Sequence, residues 1–256
     1  MFGKFAIRGI AVLLFLLPHI CGMSQALAQY QVNVSVAALP PTPIPAPAVA
    51  EPFGLKAVPV TGGGLLAKWE GVTGEIRAES DVLARCRVHA SLCPAAAQKF
   101  LAVIAEGRAH QGRARLGLIN RAINMAVVPM SDLAQWGVPD HWSAPLETLT
   151  TGRGDCEADA IAKYVALLQA GVAADDVRLV IVHDLAFAQD HAVVAARLDG
   201  KWIMLDNRRL VLLQDVEMPS VQPLFVLDDS GVKQFAPIDF AGGDDLAIAA
   251  PGSVDF

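Results

Sequence analysis

Residues 191–206 read HAVVAARLDGKWIMLD. Two apolar runs flank Asp199-Gly200, and a two-residue Asp-Gly connection is a strong short-range signal for a β-hairpin, because both turn residues take positive φ. With that turn, paired residue numbers sum to 399, which sets Val193 opposite Asp206. His191, two positions from Val193, then lies on the same face and diagonal to Asp206. The backbones there are roughly 7–8 Å apart, within reach of an imidazole and a carboxylate. A histidine and an aspartate distant in sequence thus meet at the open end of one hairpin.

Outward from the hairpin, VRLVIVHD at 177–184 is a buried strand, and VLLQDVEM at 211–218 and PLFVLDD at 223–229 are further strand candidates. Upstream the period changes to helical. Pro94 opens AAAQKFLAVIAEG, with Ala97, Phe100, Leu101 and Ile104 on one stripe and Gly107 as the stop. In LGLINRAINMAVV, at 116–128, Ile119, Ala122, Ile123 and Ala126 share a face. Asn120 and Asn124 sit one turn apart on the neighbouring stripe and read as surface or capping groups. A third helix runs from near Cys156 to Gly171 and buries Ile161, Tyr164, Val165 and Leu168. The fold class is α+β, with this helix packed on an antiparallel sheet.

The chain has 256 residues, 54% of them apolar and 18% charged, enough for one globular domain with appendages. That composition excludes predominant disorder, and no repeat period is present. A net charge of −6 argues against a nucleic-acid partner. Lys4 and Arg8, the apolar run Ile10–Ile20 and Ala26-Leu27-Ala28 form the three parts of a signal peptide over residues 1–28. The run is too short for a spanning helix, and Pro18 interrupts it, so no transmembrane anchor is expected after cleavage. Cleavage takes two cations and no carboxylate, leaving a net of −8. Six prolines between Pro40 and Pro52 mark residues 29–65 as a linker in extended polyproline conformation. The folded domain is expected over 66–240, with a soft C-terminal tail over 241–256.

Of four cysteines, Cys21 departs with the signal peptide. In an oxidising compartment Cys86 and Cys93 can close a small loop, which leaves Cys156 as a lone thiol. It follows Gly152-Arg153-Gly154-Asp155 and opens the third helix. Helix-terminal N–H groups and the dipole's positive end stabilise a thiolate there and can bind an oxyanion. The glycines allow a sharp turn and a close substrate approach. Cysteine, then a strand histidine, then a strand-end aspartate is the order of a nucleophile, a base and its orienter.

From Leu116 to Asn207 the chain resembles the bacterial transglutaminase-like cysteine proteinases, which include the LapG-type periplasmic proteases. The resemblance is carried by INRAIN at 119–124, SDLAQWGVPDHWSAPLE at 131–147, GRGDCEADAIAKY at 152–164, the HAVV from His191, and LDN at 205–207. It implies a papain/transglutaminase-like fold, Cys156 as nucleophile, His191 as general base and then acid, and Asp206 as orienter. It also implies Ca²⁺ held by Asp155 and Glu157, the carboxylates flanking the nucleophile, although the same residues suit a helix cap and a first-turn dipole partner. The family pattern GDCEDYA reads GDCEADA here, with Ala158 in place of the acidic residue and Asp159 in place of the aromatic. Asp159 is therefore a further ligand candidate.

The expected chemistry is peptide-bond cleavage through a thioester resolved by water; an amine acceptor would instead give transglutamination. For LapG-type members the substrate is a surface adhesin and the regulator an inner-membrane cyclic-di-GMP receptor, so the resemblance implies a protein substrate and a periplasmic location. The rivals are a cell-wall peptide hydrolase of NlpC/P60 type and a non-catalytic interaction module with the same fold.

Overall fold

The computed structural model describes residues 50–236 apart from 219. The expected signal peptide, most of the linker and the tail lie outside the described residues. In chain order the elements are β1 (Ala57–Pro59), α1 (Gly64–Val88), α2 (Ala95–Ala109), α3 (Gly112–Ala126), β2 (Val128–Pro129), α4 (Asp132–Trp136) and α5 (Pro145–Thr151). There follow β3 (Arg153–Gly154), α6 (Cys156–Gln169), β4 (Val177–Asp184), β5 (Gln189–Leu198), β6 (Lys201–Leu205), β7 (Leu213–Gln214), β8 (Val221–Asp228) and β9 (Gly231–Phe235).

Seven strands form one antiparallel sheet in the order β1-β9-β8-β4-β5-β6-β7, and β2 and β3 form a separate parallel pair. The β5–β6 turn has Asp199 at φ 52° and Gly200 at φ 77°, and Val194 pairs with Leu205, the register expected from the Asp-Gly turn. One side of the sheet packs on the helices through Leu179, Ile181, Val194, Ala196, Ile203 and Leu205. The alternate residues Val180, Val182, Val193, Ala195, Trp202 and Met204 form a smaller core on the other side. Strands buried on both faces explain why these segments read as continuous apolar runs rather than as an alternation.

Several expectations need correction. The domain begins before residue 66. β1 pairs with β9, Pro52 is buried, Glu51 is ion-paired with Arg178, and the Trp202 indole N–H donates to the carbonyl of Ala50. Edge pairing needs backbone groups on one side only, so a proline-containing segment can supply it. Gly107 does not stop α2. It lies inside the helix, where an added Cβ would meet Ile119 Cδ1 at 2.8 Å, so its lack of a side chain lets α3 approach. Within 211–218 only Leu213–Gln214 is strand, and a 3₁₀ turn follows at Asp215–Glu217. Cys86 and Cys93 are joined as a disulfide, linking the end of α1 to the start of α2.

Candidate active site

α6 is buried almost all round, from Ala158 to Leu167. Its start is set by Asp155, which caps the helix by accepting from the Ala158 N–H at 3.0 Å. The two preceding glycines have different jobs. Gly152 sits at φ 65° and ends α5, a backbone state that glycine adopts without strain. Gly154 is pressed on the helix it precedes, where an added Cβ would stand 2.7 Å from that of Ala158. The close approach is therefore to the protein itself, and a small residue at 158 goes with it.

Cys156 lies beside the start of β5, with the Ala192 N–H directed at its sulfur. Its S–H donates to Glu157 Oε2 at 2.9 Å. One residue away, His191 is buried and its Nε2 bonds Asp206 Oδ1 at 2.9 Å. The hairpin has therefore brought the expected histidine and aspartate into direct contact. Asp206 also accepts from the Arg208 N–H. Burial works against its charge, but the His191 hydrogen bond and the Arg208 N–H outweigh that and hold its carboxyl below the usual range. An ionised carboxylate accepts, so Nε2 carries the proton and Nδ1 is left with a free lone pair. Nδ1 is indeed buried without a hydrogen-bond partner.

The thiol departs from expectation. A helix terminus by itself lowers a cysteine pKa, but here burial and then the neighbouring Glu157 carboxylate push the thiol well up. An uncharged S–H is the consequence at neutral pH. In metal-free protein the rate of iodoacetamide labelling of Cys156 is expected to keep rising above pH ~8.5, where a free cysteine levels off. Glu157→Gln is expected to move that rise to lower pH, and a flat profile above pH 8.5 would show that Glu157 does not govern the thiol.

Three groups that sequence patterns left aside support the site. Asn124 donates through Nδ2 to the carbonyls of Asp206 and Arg209, and Asn120 to that of Arg209. These asparagines, expected on the surface, anchor the loop that carries Asp206; their one-turn spacing was the visible signal. Lys163 is fully buried and ion-paired with Asp159 one turn earlier on α6. Burial lowers the lysine's pKa and raises the aspartate's, each opposed by the other's charge. Glu79 of α1 accepts from the Leu146 and Glu147 N–H groups at the start of α5, and burial pushes its carboxyl up to about 7.

Asp155 and Glu157 flank the thiol as expected. Burial first, then the Glu157 charge, pushes the Asp155 carboxyl up to about 8, and a hydrogen bond with Asp132 adds to the rise. Among the described residues no three His, Cys, Asp or Glu side chains converge into a metal-binding group. No described helix is long and apolar enough to cross a membrane.

The family model of the bacterial transglutaminase-like cysteine proteinases matches residues 80–217. The chain belongs to this family. The match spans the Cys156, His191 and Asp206 positions, and it selects a cysteine-proteinase family rather than the NlpC/P60 alternative. Among solved structures, the calcium-bound form of Legionella pneumophila LapG is 20% identical with a TM-score of 0.50, over 69% of this chain and 94% of that one. The EGTA-treated form of the same protein is 21% identical with a TM-score of 0.50, over 68% and 88%. These likenesses show a common fold. A search of curated proteins finds no match. As a member of a proteinase family, the transglutaminase-like chain has a protein substrate.

Proposed function

We propose that this proteinase is exported to the periplasm and cleaves peptide bonds through Cys156, His191 and Asp206. The observation that carries the assignment is the His191 Nε2–Asp206 Oδ1 hydrogen bond, which leaves the buried Nδ1 without a partner one residue from the N–H that meets the Cys156 sulfur. Nδ1 takes the thiol proton as sulfur bonds to the substrate's carbonyl carbon, and N–H groups at the start of α6 hold the oxyanion. The imidazolium passes its proton to the departing amine nitrogen as the C–N bond breaks, leaving a thioester. Water, deprotonated by Nδ1, then displaces the sulfur and yields the carboxylic acid.

Export is supported by the signal-peptide pattern over residues 1–28 and by the Cys86–Cys93 disulfide, which persists in oxidising compartments. The resemblance to LapG-type proteases suggests an adhesin-like surface protein as substrate and an inner-membrane receptor as regulator. Calcium is the proposed cofactor, with Asp155 and Glu157 as the flanking carboxylates. Burial and then the Glu157 charge raise the Asp155 carboxyl to about 8, so a cation bound beside the two carboxylates would favour their ionised forms. When bound, a divalent cation supplies positive charge and favours the thiolate beside it.

The deciding experiment compares the surface and periplasmic proteins of cells with and without this protein by mass spectrometry of new N-termini. A cleaved surface protein whose new terminus disappears with Cys156→Ala and on EGTA treatment is the expected result. The absence of any such terminus would overturn the assignment.

A further inference from the structure

The turns at the two ends of the central sheet differ in character. At the end remote from His191 and Asp206 the chain turns through Asp199-Gly200 and Asp229-Ser230, and these residues are exposed. At the catalytic end, the β4–β5 turn and the loop after Asp206 carry Leu185, Phe187, Leu210 and Val211, which are 58%, 67%, 51% and 70% exposed. Single apolar side chains scattered over a surface need no explanation, but four on two neighbouring loops do. Both loops are held in place. The Leu185 N–H donates to the carbonyl of Ser220 at 2.8 Å, and Arg113 donates to that of Leu212 at 2.6 Å. Arg208 joins one loop to the other: its N–H donates to Asp206, its guanidinium donates to Asp184 Oδ2 at 2.9 Å, and its Cζ stands 5.2 Å from the centre of the Phe187 ring. The charged groups beside the turn are matched among themselves, Arg208 with Asp184 and His183 with Asp190. The tip itself, Leu185-Ala186-Phe187-Ala188, is apolar and exposed throughout. A rigid apolar surface next to catalytic groups is complementary to apolar side chains of whatever those groups cut. Phe187 precedes His191 by four residues, so their Cα atoms lie within about 14 Å of each other, the most that such a length of chain can span. An extended peptide covers that distance in about four residues.

We propose that Leu185, Phe187, Leu210 and Val211 form a ledge that binds an apolar segment of the protein substrate within about four residues of the scissile bond, with Phe187 as its main specificity-determining residue. This rests on the cleavage assignment above and adds the class of sequence that is cut. Phe187 suits the role because its ring is large and is steadied from one side by Arg208, so little freedom is lost when a substrate side chain covers it. The same arginine ties the ledge to the loop that carries Asp206, which fixes the distance between recognition and chemistry.

Digestion of a proteome-derived peptide library by the full-length protein in CaCl₂, with cleavage sites read by mass spectrometry, tests the ledge. Leu, Ile, Val, Met and Phe are expected to be enriched at one position within about four residues of the cut. A synthetic peptide with that apolar residue is expected to exceed its serine counterpart in kcat/KM about tenfold, and Phe187→Ser or Leu210→Ser to shrink this preference below about threefold, the loss lying in KM. Both substitutions change exposed side chains, and a thermal melt confirms that each variant is folded. Cleavage with no apolar preference near the cut, or a preference that both variants keep, overturns the ledge and leaves the cleavage assignment standing. A wild-type dimer in sedimentation that Phe187→Ser disperses would also overturn it, assigning the surface to a second copy of the chain. If the wild-type protein cuts no peptide in the library, the cleavage assignment falls and the ledge falls with it.

Discussion

Cys156→Ala is expected to abolish peptide hydrolysis, by a factor on the order of a millionfold, because no covalent intermediate can form and the members of a catalytic unit act together. Stability should hardly change. The residue is only partly buried, its helix start is capped by Asp155 rather than by the thiol, and Ala is a good helix former. Deleting the sulfur also removes a group held uncharged against the Glu157 carboxylate. Turnover of a peptide substrate and a thermal melt, read on one preparation, check both halves. More than about one per cent residual turnover would mean that another nucleophile does the work.

Asp206→Asn is expected to cost about 10⁴-fold in turnover while leaving the hairpin intact, the magnitude seen where an orienting carboxylate becomes an amide. The amide nitrogen can donate to Nε2 and so place the proton on Nδ1, where it blocks acceptance of the thiol proton. The sign is fixed by which ring nitrogen Asp206 touches, Nε2 at 2.9 Å. Because its carboxyl is held below the usual range, Asp206 stays ionised through mildly acid pH, and the acid limb of the rate profile should not be its own. Near-normal turnover by the Asn variant would show that Asp206 does not select the tautomer. An NMR titration of the His191 ring would show directly which nitrogen carries the proton.

Contacts that local rules determine were legible in the sequence. The two-residue turn sets the register, and the register sets His191 against Asp206. Glycines followed by an aspartate set the helix start at Cys156. Long α1 was missed because its buried residues, Leu65, Trp69, Val72, Leu83 and Cys86, are too few and too unevenly spaced over 25 residues to make a stripe. β9 and the edge strand β1 carry little side-chain pattern, since backbone pairing alone suffices for them. Lys163 is read as solvent-facing by any hydrophobic period, and only Asp159 one turn away hinted at a buried pair. The thiol was misjudged in sign, because dipole and burial act oppositely and a sequence gives no measure of burial depth. Asn120 and Asn124 matter through carbonyls more than eighty residues away, a relation no local pattern encodes.

The two halves of the site differ in how the chain assembles them. His191 and Asp206 belong to one hairpin, whose closure spans a short loop, whereas Cys156 joins them only when α6 docks on β5. A chain with the hairpin formed and α6 undocked therefore holds a base with nothing to deprotonate, and a chain with α6 alone holds an unassisted thiol. On the proposed assignment, cutting power arises only at helix–sheet closure, so partly unfolded copies are harmless to one another, and activity is expected to vanish wherever α6 leaves β5, even while the hairpin persists.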